Sequence, residues 1–397
     1  MSMLKLLQIN ITANWGSTGK IAEQIGIVSQ THGWNSYLAY GEVCNPSQNK
    51  LIRIGNDMNR YFHFAVQRIF DNEGLCSRLE TKKLIRLIEE IKPNIINLHN
   101  VHDHYLNYKI LFDYLNKTDI NVVWTFHDCW AFTGHCFHFV TKQCERWKTG
   151  CYNCPLRHEY PNTLLDRSRE NYKLKKQLFG GAPNLTIVTC SDWMCALVKQ
   201  SFLKDKQIKV IKNGVDINVF NITKPKASSF DGKFRILAVS SIWNQEKGYY
   251  DILALRKHLS DDFVITIVGL TRTQIKKLPS GINGIEMIKN VHELVDLYSS
   301  SDVLINPTYA DTFPTVNIEA LACGTPVITY NTGGSPESVD EATGVVVKQG
   351  DLISLASAIR KMKDTPLSSS ACRTRAEQYF DKEKCFQKYI DLYESLF

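Results

Sequence analysis

Short apolar runs alternate with amphipathic stretches along almost the whole chain. Residues 5–9 (Lys-Leu-Leu-Gln-Ile), 36–40, 95–99, 121–126 and 185–189 read as buried strands, with another strand end at 208–211. Helical patterns lie between them, clearest over 21–29 and over 81–91, which Pro93 closes. Ser191 stands where a helix N-cap belongs. A polar stretch, 225–232, interrupts the rhythm. It restarts with strands at 235–240, 263–268 and 285–288 and with helices from Tyr249 and over 292–298. A strand at 303–306, a loop, a helix opening at Pro314 and stopped by Gly324, and a strand at 326–330 come next. Residues 352–362 and 381–397 close the chain as amphipathic helices. Such alternation predicts parallel sheets covered by helices on both faces, here in two successive α/β domains, 1–214 and 215–380.

Composition adds limits. At 397 residues the chain is long enough for two cores. A net charge of +7 gives no strong case for nucleic acid, yet suits anionic substrates or an anionic membrane surface. The N-terminus lacks the apolar core of a signal peptide, and no apolar run approaches the ~20 residues that a membrane span needs. Twelve cysteines without a signal peptide suggest a reducing, cytoplasmic setting with buried thiols or metal ligands rather than disulfides.

In parallel sheets ligands bind beyond the carboxyl ends of the strands, so the polar residues there carry the candidate chemistry. After the first strand, Gly16-Ser-Thr-Gly19-Lys20 opens a helix and can present backbone N–H groups to an anion. It is not a P-loop, because Asn14 and Ile21 stand where glycine and Ser/Thr are required. His99-Asn100-Val-His102 follows one strand and His127-Asp128 another. His127, oriented by Asp128, could act on a hydroxyl proton. Residues 129–155 form an insert with Cys136, Cys144, Cys151 and Cys154. Four thiolates with one C-x-x-C pair fit structural zinc, with His135 and His138 as substitute ligands. The basic stretch 167–176 reads as a solvated helix face or as a membrane-surface helix. Lys247, before a helix start, could meet a phosphate. Asp311 and Glu319 place two carboxylates around the helix that opens at Pro314.

The element Asp311-x7-Glu319, followed by Ala-Leu-Ala-Cys-Gly-Thr-Pro-Val and Thr332-Gly-Gly334-Ser-Pro-Glu337, resembles the E-x7-E element of the family 4 retaining glycosyltransferases of GT-B fold. The Gly16–Gly19 loop, His127-Asp128, Asn213-Gly-Val-Asp216 and Glu246-Lys247-Gly248 match as well. The cysteine-rich insert is similar to that of a bacterial surface-polysaccharide subgroup.

The resemblance implies two Rossmann-like domains facing each other across a cleft, with 381–397 packing back toward the N-terminal one. It implies a nucleotide-sugar donor, UDP- or GDP-linked, and a glycan or lipid-linked acceptor at the inner face of a plasma membrane. No cofactor is implied for catalysis. Glu319 would hold ribose hydroxyls, while backbone amides at Thr315 and Val316, with Lys247, would receive the diphosphate. Asp311 would face the sugar. Gly16 and Gly19 would let the first loop approach the phosphates, His127 would line the reacting centre, and His99 and Asn100 would bind substrate. Two departures stand out: aspartate replaces the usual glutamate at 311, and Ser240-Ser241-Ile242-Trp243 lacks the family's arginine. An epimerase of the same fold and a non-catalytic sugar-nucleotide-binding module are the alternatives.

Overall fold

The computed structural model describes residues 3–226 and 232–397. The expected linker at 225–232 therefore falls mostly outside the described residues. The chain divides into two compact units, Met1–Lys212 with Phe386–Phe397, and Asn213–Cys385.

The first unit is built on a parallel sheet of β1 (Lys5–Asn10), β2 (Asn35–Tyr40), β3 (Lys50–Arg53), β4 (Ile95–Leu98), β5 (Asn121–Phe126), β6 (Leu185–Thr189) and β7 (Gln207–Val210). Their order among the described residues is β3-β2-β1-β4-β5-β6-β7. The central strands are buried on both faces: every residue of β4 and β6 is buried, the polar Asn97, Thr186 and Thr189 included. Helices α1 (Gly16–Thr31), α2 (Asp57–Phe70), α3 (Arg78–Ile91), α4 (Tyr108–Leu115), α5 (Ser168–Gly180) and α6 (Asp192–Val198) connect them. Ser191 caps α6 by accepting the Met194 N–H at 3.2 Å. The insert holds only short 3-10 turns, wrapped around Phe132, Phe139 and the buried Trp147.

The second unit repeats the plan with β8 (Phe234–Val239), β9 (Phe263–Val268), β10 (Ile282–Ile285), β11 (Val303–Asn306), β12 (Val327–Tyr330) and β13 (Gly344–Val347), ordered β10-β9-β8-β11-β12-β13. Its helices are α7 (Tyr249–Leu255), α8 (Arg272–Ile275), α9 (Val291–Ser300), α10 (Thr315–Ala322), α11 (Leu352–Asp364), α12 (Ser369–Arg375) and α13 (Lys382–Glu394). The end of α13 belongs to the first unit, where Tyr393 accepts from Asn97 at 2.7 Å and Tyr389 from Thr125 at 3.3 Å.

One expectation is corrected. The strand expected at 285–288 is β10, three residues earlier. Its register pairs Ile282 with Ile265 and Ile285 with Val268, while Met287 is left exposed. The basic stretch 167–176 keeps the expected solvated helix face, with Arg169, Lys173 and Lys176 exposed. In α5, Tyr172, Lys175, Leu178 and Phe179 are buried, and Lys175 lies 3.3 Å over the Trp130 ring while donating to the Trp130 carbonyl at 2.8 Å. Burial pulls the Lys175 amine down to about 7. No helix among the described residues is long and apolar enough to cross a membrane.

Candidate functional site

Each sheet reverses its strand order once, between β1 and β4 and between β8 and β11. Loops leaving neighbouring strands diverge at such a point, which opens a crevice for ligands. The candidate residues fall at both reversals.

In the second unit, the loop after β8 and the loop after β11 are bound together. The Tyr309 N–H donates to the Glu246 carbonyl at 2.7 Å, and a Cβ on Gly248 would sit 2.1 Å from the Pro307 carbonyl oxygen. This contact brings Lys247 to Asp311, Nζ to Oδ2 at 2.7 Å. The lysine expected at the diphosphate is thus held by the aspartate expected at the sugar. Asp311 is fixed further: its Oδ1 accepts the Phe313 N–H at 3.2 Å and its carbonyl accepts from Gly334 at 3.3 Å. Gly333 has a φ of +56°, and a Cβ there would lie 1.8 Å from the Asp311 carbonyl oxygen, so the Gly-Gly turn is what allows this approach.

Helix α10 follows directly. Pro314 is its N-cap and gives no side-chain cap to the first turn, which carries Thr315 and Val316. Glu319 lies one turn in, half-buried, and Oε2 accepts the Tyr298 hydroxyl at 2.9 Å. Burial first, then Glu319, raises the Tyr298 pKa well above its usual value, so the phenol stays a donor. A buried relay from Asn306 through Asn317 to Ser338, both contacts 2.9 Å, anchors the helix to β11. Arg373 and Arg375 do not replace the missing arginine. They bind the Ala322 carbonyl at the other end of α10 and the Ser338 carbonyl.

In the first unit, Gly16 opens α1 with open space where a Cβ would project, nothing lying within 4 Å, whereas Gly19 is packed: a Cβ there would meet Thr12 Oγ1 at 2.6 Å. Gly16 is therefore the exposed end of the loop, and the glycine at 19 lets the start of α1 pack against Thr12. The Asn100 N–H donates to Asn10 at 3.3 Å, tying the β4 and β1 loops together.

His99 and His127 stack, with centroids 5.3 Å apart. A hydrogen-bond chain sets their tautomers. The Ala22 carbonyl can only accept, so the Gln8 amide nitrogen faces it at 2.7 Å and Gln8 Oε1 is left to accept from His99 Nε2–H at 3.1 Å. His99 Nδ1 then accepts from His127 Nε2–H at 3.0 Å, which places the His127 lone pair on Nδ1. Burial holds His127 down to about 4 and His99 well below its usual value. The expected partner, Asp128, does not orient His127. It binds His102 Nε2 at 2.8 Å and the Trp130 N–H at 2.8 Å. Burial opposes charge on His102, but Asp128 and Asp103 outweigh it and raise its pKa well above the usual value. Gln8 was the missed partner; one amide inside an apolar central strand was its signal.

The four insert cysteines are neighbours. Cys151 accepts the Gly134 N–H at 3.2 Å, Cys154 accepts from Leu156, and the Cys136 and Cys154 thiols are hydrogen-bonded. Their sulfurs do not close to metal-binding spacing. Among the described residues, three ligand atoms mutually within 4.8 Å occur only at Glu73, His102 and Asp103. His135 does not substitute as a ligand, because it pairs with Asp71 at 2.6 Å.

Comparison with known proteins agrees with this architecture. Residues 220–379 match the family described as "Glycosyl transferases group 1", and residues 33–219 the one described as "Glycosyltransferase Family 4". The "Putative colanic acid biosynthesis glycosyl transferase WcaC" of Escherichia coli (strain K12) is 24% identical over 418 residues, covering 99% of this chain and 100% of that one. Sucrose-phosphate synthase from Thermosynechococcus elongatus superposes with a TM-score of 0.75 at 17% identity over 99% of both chains. Anabaena HepE in complex with UDP-glucose does so with a TM-score of 0.65 at 14% identity, over 99% of this chain and 100% of that one.

Proposed function

We propose that this chain, which belongs to the GT-B glycosyltransferases through its group 1 and family 4 domains, moves a sugar from a UDP- or GDP-linked donor to a glycan or lipid-linked acceptor. The observation that carries this reading is the convergence at the β8/β11 reversal. There, a cation (Lys247), a helix start with no side-chain cap (Thr315, Val316) and an inward carboxylate (Glu319) come from three consecutive motifs. A helix N-terminus and an ammonium group suit a diphosphate, and a carboxylate suits ribose hydroxyls.

In this reading the donor displaces Asp311 from Lys247. The freed lysine meets the phosphates and the freed aspartate meets sugar hydroxyls. As the bond from the anomeric carbon to the diphosphate oxygen breaks, the electron pair leaves with the nucleoside diphosphate. The amide groups of α10 and Lys247 stabilise that charge without a divalent metal. The acceptor hydroxyl forms the new bond to the anomeric carbon, with retention as the family resemblance implies. His127, neutral and with its lone pair on Nδ1, is assigned to take the proton that the acceptor hydroxyl loses as that bond forms. A place in surface-polysaccharide synthesis is supported by the description of the E. coli relative, and a nucleotide-sugar donor by the UDP-glucose complex of HepE.

We also assign Cys136, Cys144, Cys151 and Cys154 to a structural zinc ion, whose binding would draw the four sulfurs closer together than they stand in this structure. The backbone N–H groups already directed at two of the sulfurs support this, since thiolate ligands take such donors.

The test is titration calorimetry against UDP- and GDP-sugars, followed by radiolabel transfer to membrane lipids. Glu319→Ala should abolish donor binding. Turnover of a nucleotide sugar without acceptor would point to the epimerase instead.

A further inference from the structure

Helix α2 is mounted with its polar face inward. Met58, Tyr61, Phe62, Ala65 and Ile69 follow the i, i+3, i+4, i+7, i+11 spacing and share an arc of roughly 100°. In a surface helix such a stripe normally faces the core. Here Met58 is 80% and Phe62 67% exposed, whereas His63 and Gln67, on the opposite face, are 0% and 1% exposed.

Polar contacts hold the helix in this orientation. His63 accepts the Cys76 N–H at 3.4 Å and donates to Ser77 at 2.9 Å. Gln67 donates to the Pro161 carbonyl at 3.2 Å, and Arg60 binds Glu42 at 2.6 Å. The segment after Pro161 extends the apolar surface. Leu164 and Leu165 bond through their N–H groups to the Arg68 and Ile69 carbonyls at 2.9 and 3.1 Å, and both side chains are exposed.

We propose that this face inserts into the headgroup region of an anionic lipid bilayer, with α2 lying in the plane of the surface. Charge favours that partner. Arg68 flanks the stripe, exposed, with its guanidinium on the Asn162 carbonyl. The first turn of α3, tied to α2 by Asn59 and Glu80 at 3.0 Å, exposes Arg78, Leu79 and Lys82. The carboxylate on the outer side of α2, Asp57, is already paired with Arg53 at 2.7 Å.

Size argues against a second protein. A helix of this length is about 20 Å long and 10 Å wide, so its face offers on the order of 200 Å². A stable protein partner needs about 800 Å² per side. Insertion into lipid needs no matching surface, and aromatic side chains with flanking cations are what the interface accepts.

This deepens the lipid-linked acceptor reading by naming where the chain meets lipid, and its test involves no sugar, so either can fail without the other. The measurement is co-sedimentation with vesicles of phosphatidylglycerol and phosphatidylcholine in equal parts. Wild type should pellet with them and stay in solution with phosphatidylcholine alone. Each large apolar side chain removed should weaken partition about tenfold, so Phe62→Ser with Ile69→Ser should lose about a hundredfold. Arg68→Gln should lose about fivefold. Lys173→Gln with Lys176→Gln, on the exposed side of α5, should change nothing. Because the substituted side chains face solvent, the variants should melt with the wild type. The proposal is overturned if wild type ignores anionic vesicles, if the double variant pellets equally, or if it melts early. It is also overturned if light scattering shows a wild-type dimer that the double variant converts to monomer, since a second copy would then cover the face.

Discussion

Removing the Tyr298 hydroxyl tests how Glu319 is aimed. Tyr298→Phe deletes the 2.9 Å hydrogen bond to Glu319 Oε2 while keeping the buried ring. A hydrogen bond to a charged group contributes about 1.5–3 kcal/mol. Glu319 is half-buried, so water recovers part of that and about 1 kcal/mol is lost. A loss of that size lowers the melting temperature of a unit this large by about 2–4 °C. It also lets the carboxylate sample other rotamers, which should weaken donor binding about fivefold, read as Kd by calorimetry with the UDP- or GDP-sugar that binds best. The melting shift alone would mark a purely structural bond. An unchanged Kd in Tyr298→Phe, beside abolished binding in Glu319→Ala, would refute the positioning role. Unchanged binding in both would remove Glu319 from the donor site.

Further outcomes follow from the same geometry. Gly333→Ala forces a side chain into the left-handed region and against the Asp311 carbonyl. It should cost at least about 1–2 kcal/mol in urea unfolding and reduce donor binding as the Asp311 loop shifts. The acid limb of kcat/KM should fall near pH 4 rather than near 6.5, because burial keeps His127 neutral down to that range; a limb near 6.5 would exclude His127 as the titrating base. His102 is raised above its usual value by Asp128 and Asp103. The stabilisation it contributes is therefore full below about 6.5 and lost as pH rises through its raised pKa, and Asp128→Asn should flatten that alkaline loss in urea midpoints. Elemental analysis should find one zinc per chain in the wild type and none in Cys151→Ser; cobalt loading should give a thiolate charge-transfer band.

The alternation of apolar runs and amphipathic stretches was enough to determine two parallel α/β units and most of their strands. A strand buried on both faces must be mostly apolar, and a helix on a sheet must repeat its apolar positions at 3.6 residues. The motif at 311–337 likewise reads as strand, loop, helix and strand, because proline and glycine mark its turns and helix ends locally. What the sequence could not decide is which polar groups meet. Asp128 follows His127 directly, yet it turns to His102. His127 is oriented instead through His99 by Gln8, which lies 91 positions before His99 in the chain but next to it across β1 and β4. Helix α2 shows the same limit from the other side. Its stripe is plain in the sequence, but periodicity gives only the stripe and not its direction. The buried contacts of His63 and Gln67 turn it outward, and only the tertiary structure contains them.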